Sequence, residues 1–228
     1  MVLGRVKPPT GAGRATDPRG RSGGRTGVRQ EDTTSAATFV ALLDAAQRGE
    51  EDAYAVIWRR CQPSLLRYLR VKAGPVADDL AAETWLQVVR ALPRFEGGEG
   101  EFRAWLFTIA RNRHIDWRRR ASRRKETLTD TKYLEIERSA EDVTSSAEAR
   151  MSTDRALALI ATLPPSQAEA VMLREVVGLS VADTAKVMNR PAGTVRVLCH
   201  RGLHRLAETL ESELAHETAD GHLGRLSG

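Results

Sequence analysis

The sequence predicts an all-α chain: two small helical domains joined by a flexible acidic linker. Three observations predict it. Ala, Leu, Arg and Glu dominate a 228-residue chain that is 41% hydrophobic but only 5% aromatic, and strand-like Val/Ile/Thr/Tyr alternation is nearly absent. Apolar residues recur at three- and four-residue spacing in two blocks, 36–125 and 153–216. Between the blocks, Glu126 to Ala149 hold seven acids against Lys132 and Arg138, with few apolar residues, which marks 126–152 as the linker.

Residues 1–35 are rich in Gly, Pro, Arg, Ser and Thr without apolar period, so a disordered basic tail is expected there. Its Lys and Arg residues would attract nucleic acid nonspecifically or simply remain solvated. Helical patterning starts at Thr38 and stops at Gly49. A second helix carries Tyr54, Ile57, Trp58, Cys61, Leu65, Tyr68 and Leu69, with Pro63 expected to kink or break it. A third follows Gly74-Pro75 with the stripe Leu80, Thr84, Val88 and Ala91, and Pro93 ends it. After the loop Glu96–Glu101, a fourth helix begins near Phe102. Its core stripe is Phe102, Trp105, Leu106, Ile109 and Ala110; beyond Ala110 the stripe fails, with Arg113 standing where the next apolar residue belongs.

In the second block, Ser166 and Glu169 have capping-box spacing and Gly178 is a stop. Ser180 with Asp183 starts another helix, Asn189 suits a left-handed turn, and Pro191 enters a longer helix. A short helix, a tight turn and a second helix form a helix-turn-helix, so the C-terminal domain is assigned as one. With Val195 as the buried reference, 100° per residue brings Leu198, Cys199, Gly202, Leu203, Leu206 and Leu210 to its side. The opposite side carries Arg196, Val197, His200, Arg201 and His204. Cationic and polar donors around one apolar contact suit a DNA major groove; the same face also suits plain solvation.

Both blocks resemble a known family. "DDLAAETWLQVVRALPRFEGGEGEFRAWLFTIARNRHIDWRRR" resembles domain 2, and "LIATLPPSQAEAVMLREVVGLSVADTAKVMNRPAGTVRVLCHRGLHRLA" domain 4, of bacterial RNA polymerase sigma factors of the extracytoplasmic-function group. Order and spacing match over residues 36–212. The resemblance implies that the chain binds core RNA polymerase, recognises −35 and −10 promoter elements, and promotes melting and initiation. Domain 2 (36–125) would dock on the polymerase clamp and hold single-stranded −10 DNA; domain 4 (153–216) would read duplex −35 DNA. The linker would follow the polymerase's nucleic-acid channel or act as a spacer, and residues 217–228 form a tail. An anti-sigma factor clamping both domains is a further implied partner.

On this mapping the core-polymerase helix offers Asp78, Asp79, Glu83, Gln87 and Arg90, while Leu80, Trp85 and Val88 serve as core. The −10 surface takes Phe95, Gly97 and Gly98 from the loop and Arg111, Asn112, Arg113, Trp117 and Arg118 from the following helix. Cations for phosphate, planar groups for stacking (His114 among them) and an amide for base edges suit single-stranded DNA. Trp117 either stacks on a base or packs within the domain. The −35 surface takes Thr194, Arg196, Val197, His200, Arg201 and His204. Many family members carry a polar pair where this chain has Val197-Leu198, so the −35 sequence does not transfer from relatives.

Catalysis is not expected. "HRGLH" lacks the glutamate of HExxH, no GxxxxGK[ST] occurs, and neither a metal nor another cofactor is implied. Cys61 and Cys199 suit a reducing cytoplasm. No apolar run approaches the roughly 18 residues that a membrane helix needs, and Arg5 and Lys7 precede no hydrophobic region, so neither membrane insertion nor a signal peptide is expected. The competing class is a helix-turn-helix regulator that acts without core polymerase.

Overall fold

A computed structural model describes residues 28–127 and 147–223, with side chains described over 38–123 and 151–213. The expected linker thus lies largely outside the described residues. All regular elements among them are helical. They are α1 (Val28–Gln47), α2 (Glu51–Ala73), α3 (Ala77–Ala91), α4 (Glu99–Thr127), α5 (Ala147–Thr162), α6 (Pro165–Val171), α7 (Val181–Met188) and α8 (Ala192–Leu223). Short 3₁₀ turns precede and follow α3, and a π turn, Met172–Val176, extends α6.

The N-terminal four helices pack around Phe39, Ile57, Leu65, Tyr68, Leu80, Val88, Phe102, Leu106 and Ile109, all buried. α1 starts at Val28, inside the segment expected to be a disordered tail. Pro63 does not break α2, which runs without interruption from Glu51 to Ala73. The proline removes the hydrogen bond to the carbonyl of residue 59, but Arg59 is exposed, where water can serve that carbonyl. The stripe Ile57, Cys61, Leu65, Tyr68 and Leu69 is buried on the helix's other side.

In the C-terminal half, α7 and α8 form the expected helix-turn-helix. Ser180 Oγ caps α7 by accepting from the Asp183 N–H at 3.0 Å. Asn189 ends α7 in the left-handed conformation, φ 51° and ψ 53°, the one non-glycine residue with positive φ among those described. Val195 and Cys199 are buried, but Leu203 and Leu210 are exposed, against the wheel's expectation. Leu203 sits 80° from Val195 on that wheel, at the edge of the buried stripe.

The two halves are not separate bodies in this structure. α4 packs on α7, and α2 packs on α5, α6 and the π turn. One continuous hydrophobic core runs from Phe39 to Cys199.

Candidate nucleic-acid and polymerase interfaces

On α3, Leu80, Ala81, Thr84, Trp85 and Val88 are buried while Asp78, Asp79, Glu83 and Arg90 are exposed. The wheel divides this helix as the sequence implied. Trp85 is pinned as it donates from Nε1 to Gln62 Oε1 at 2.6 Å. Leu86 and Val89 are 57% and 50% exposed, an apolar pair on the acidic face that sequence reasoning passed over. Both fall off the Leu80–Thr84–Val88 stripe, and that offset was the available signal.

The loop 95–98 is built from its anchors. Phe95 is buried, its ring 4.9 Å from Trp105 and 5.6 Å from Phe102. The structure therefore corrects its assignment as a DNA contact: Phe95 is a peg that fixes the loop. Gln47 of α1 donates to the Leu92 and Phe95 carbonyls at 3.0 and 2.7 Å, tying the loop's entry to the first helix. Gly97 has φ 145°, and a Cβ there would stand 2.8 Å from the Glu101 Cβ and 3.2 Å from the Phe95 ring. Only glycine fits. Glu101 accepts from the Gly98 N–H at 3.1 Å, closing the start of α4.

Past Ala110, α4 changes character as expected, though not by becoming wholly exposed. His114 continues the buried stripe, contrary to its reading as a DNA-facing ring. It is hydrogen-bonded to the Lys72 backbone, and its Nε2 has no partner. Burial, and then the charges of Lys72 and Arg118, push its pKa down to about 4, so the imidazole is neutral at pH 7. Trp117 is half-buried, packed on the core, with its ring stacked on His114 at 6.2 Å. Arg113 is spent internally, donating to Gln87 on α3. Arg111 forms an ion pair with Glu169 of α6. Asn112 remains half-exposed and Arg118 is exposed.

Glu169 also departs from expectation. The start of α6 is capped by neither Ser166 nor Glu169, because Pro164 and Pro165 shift the helix start and put the box out of register. Its buried carboxylate instead accepts from Arg111 Nε at 2.9 Å, Tyr68 Oη at 3.0 Å and Lys72 Nζ at 3.1 Å. Burial alone would raise its pKa; Lys72 and Arg111 outweigh that and hold it below the ordinary carboxylate value.

On α8, Arg196, Val197, His200, Arg201 and His204 are exposed together and Thr194 is half-buried. The face is polar and cationic around one apolar residue, Val197, at 48% exposure. Behind it, Gly202 lets α8 approach α6: a Cβ there would fall 2.7 Å from Val171 Cγ2. Among the described residues, no three His, Cys, Asp or Glu side chains gather as a metal site, and no helix is long and apolar enough to cross a membrane.

This geometry can be set beside known proteins. Residues 57–124 match the family Sigma-70 region 2, and residues 153–206 match Sigma-70, region 4. The ECF RNA polymerase sigma factor BldN of Streptomyces coelicolor is 35% identical over 79% of this chain and 69% of its own length. The ECF RNA polymerase sigma factor SigD of Mycobacterium tuberculosis is 33% identical over 75% of this chain and 82% of its own. Among solved structures, the sigma factor RpoE of Bartonella quintana, in complex with the anti-sigma factor NepR, shares the fold with a TM-score of 0.56. It is 22% identical, over 69% of this chain and 96% of that one. On this identity and coverage, the chain belongs to the ECF RNA polymerase sigma factors.

Proposed function

We propose that the chain binds core RNA polymerase through α3, reads duplex −35 DNA with α8, and engages the melted −10 element with the 95–98 loop and the α4 surface. One observation carries this reading. Two chemically distinct nucleic-acid surfaces sit on separate sequence blocks. The broken apolar stripe of α4 adjoins the acidic α3, and an exposed cationic face lies on a helix-turn-helix. On α3, Asp78, Asp79, Glu83 and Arg90 supply charge while Leu86 and Val89 supply the apolar contact that charges alone do not give. At the −10 surface, Asn112, Trp117 and Arg118 meet the displaced strand, with Gly97 and Gly98 giving close backbone approach. At the −35 surface, Arg196 and Arg201 take phosphate or guanine, His200, His204 and Thr194 add polar contacts, and Val197 meets a thymine methyl.

The chain supplies specificity and the polymerase supplies the chemistry, in the cytoplasm and without a cofactor of its own. An anti-sigma factor is a fitting partner, because the RpoE neighbour is captured in complex with one. The test is in-vitro transcription with purified core polymerase: the chain should co-purify with core enzyme and confer promoter-specific initiation. A chain that does neither, and instead binds a palindromic duplex as a dimer, would overturn this reading in favour of a stand-alone regulator.

A further inference from the structure

We propose that Glu169 is an intramolecular latch that holds the free chain closed, in a conformation unable to span a promoter, and that it does so by occupying Arg111. The inference rests on the reading of α4 and α8 as DNA surfaces.

Distance supports it first. The −35 and −10 elements are about 25 base pairs apart, which at about 3.4 Å per step is roughly 85 Å along the duplex. In this structure Arg111 lies 2.9 Å from Glu169 on α6, and α6 in turn touches Gly202 of α8 through Val171 and Gln167. The two DNA surfaces are therefore separated by the thickness of α6 and α8, about two helix diameters or on the order of 20 Å. A closed chain cannot reach both elements at once. The α2–α6 and α4–α7 contacts must part before both are read.

Chemistry supports it next. Glu169 receives three donors from the other half of the chain, two of them cations, and its side chain is 8% exposed. Arg103 adds a hydrogen bond to the Val177 carbonyl at the end of the π turn. The cluster places two buried or half-buried cations, Lys72 and Arg111, on one anion, while neighbouring His114 is kept neutral. One positive charge is thus left uncompensated in a largely buried cluster, a costly arrangement. A polyanion relieves it. DNA phosphate competes with Glu169 for the same Arg111 guanidinium, so release of the latch and capture of the single strand are one exchange of anions.

The experiment uses the full chain and two variants, Glu169→Gln, which removes the charge, and Glu169→Lys, which sets a third cation against Lys72 and Arg111. Helical content by circular dichroism confirms that each folds. Small-angle scattering of the free protein reports opening without DNA or polymerase. Binding of a short single-stranded oligonucleotide reports access to Arg111. Both variants should show a larger radius of gyration, and the oligonucleotide should bind about tenfold more tightly, within the usual span of coupling between sites. Unchanged scattering in the well-folded Lys variant, or unchanged oligonucleotide affinity in a chain that has opened, would overturn the latch. Failure of the wild-type chain to initiate transcription with core polymerase would sink the sigma reading instead, and scattering would still report on closure.

Discussion

Arg113 on α4 and Gln87 on α3 are joined by a side-chain hydrogen bond, Arg113 Nε donating to Gln87 Oε1 at 2.9 Å. The helix proposed to meet single-stranded DNA and the helix proposed to meet polymerase are thereby held in register. Arg120 and Glu83 repeat the link at 3.9 Å, but both are well exposed and contribute little.

Breaking this joint should disturb melting more than assembly. A hydrogen bond to a charged group is worth about 1.5–3 kcal/mol, and a half-buried one sits at the low end, so Gln87→Ala should slow promoter opening roughly tenfold. Asn112→Ala should act similarly by removing the amide proposed to meet a base edge. Open-complex formation on duplex promoter, compared with a premelted template, checks both. Equal defects on the two templates would rule out a role in melting.

The −35 face should behave as a phosphate-binding surface. Arg196→Ala and Arg201→Ala should each weaken binding of core polymerase plus this chain to promoter duplex. Each should also make the salt dependence shallower by about one unit for every phosphate that the variant no longer neutralises. Affinity measured across a salt series decides; an unaltered slope would show that neither arginine touches the backbone.

Close packing of α8 on α6 should make Gly202→Ala destabilising. Alanine in a helix normally gains about 0.5–1 kcal/mol over glycine. Here the added Cβ would stand 2.7 Å from Val171 Cγ2, and overpacking of this kind costs about 1–3 kcal/mol. Val171 is β-branched and stiff, so it has little room to yield. Urea unfolding should show a net loss, and Val171→Ala combined with Gly202→Ala should recover part of it.

Acid sensitivity should come in two windows. His114 has a native pKa of about 4 against an ordinary 6.5, so between these values the unfolded chain takes up a proton that the native chain refuses. Stability is full above pH 6.5 and falls as pH drops toward 4. The native pKa of Glu169 is depressed below 4.5, so its contribution is present above that value and is lost only at more acid pH. Urea unfolding from pH 7 to 4 should therefore slope downward for the wild type and flatten for His114→Gln. A slope that persists in His114→Gln would assign the first window elsewhere.

Much of this was legible in the sequence because it is local. Ser180 and Asn189 bracket α7 through interactions only a few residues long, and the stripe from Phe102 to Ala110 depends on helical period alone. Glu169 was misread for the complementary reason: its partners lie 101 and 58 residues away, and no spacing rule reaches them. His114 broke the apolar code although it occupies an apolar position. Phe95 was carried over from the family's loop while its own chemistry made it core. Pro63 breaks an isolated helix, and here burial of the stripe on the opposite face of α2 prevails.

The continuous core has a consequence for the chain's lifetime. When the halves part, the surfaces of α2, α4, the π turn and α7 that now cover one another face water. Unless polymerase covers them in turn, an opened chain presents fresh apolar surface to proteases and to other opened copies. On the proposed opening, unengaged chain would be protected by staying folded on itself, and its lifetime would depend on the supply of polymerase able to receive it.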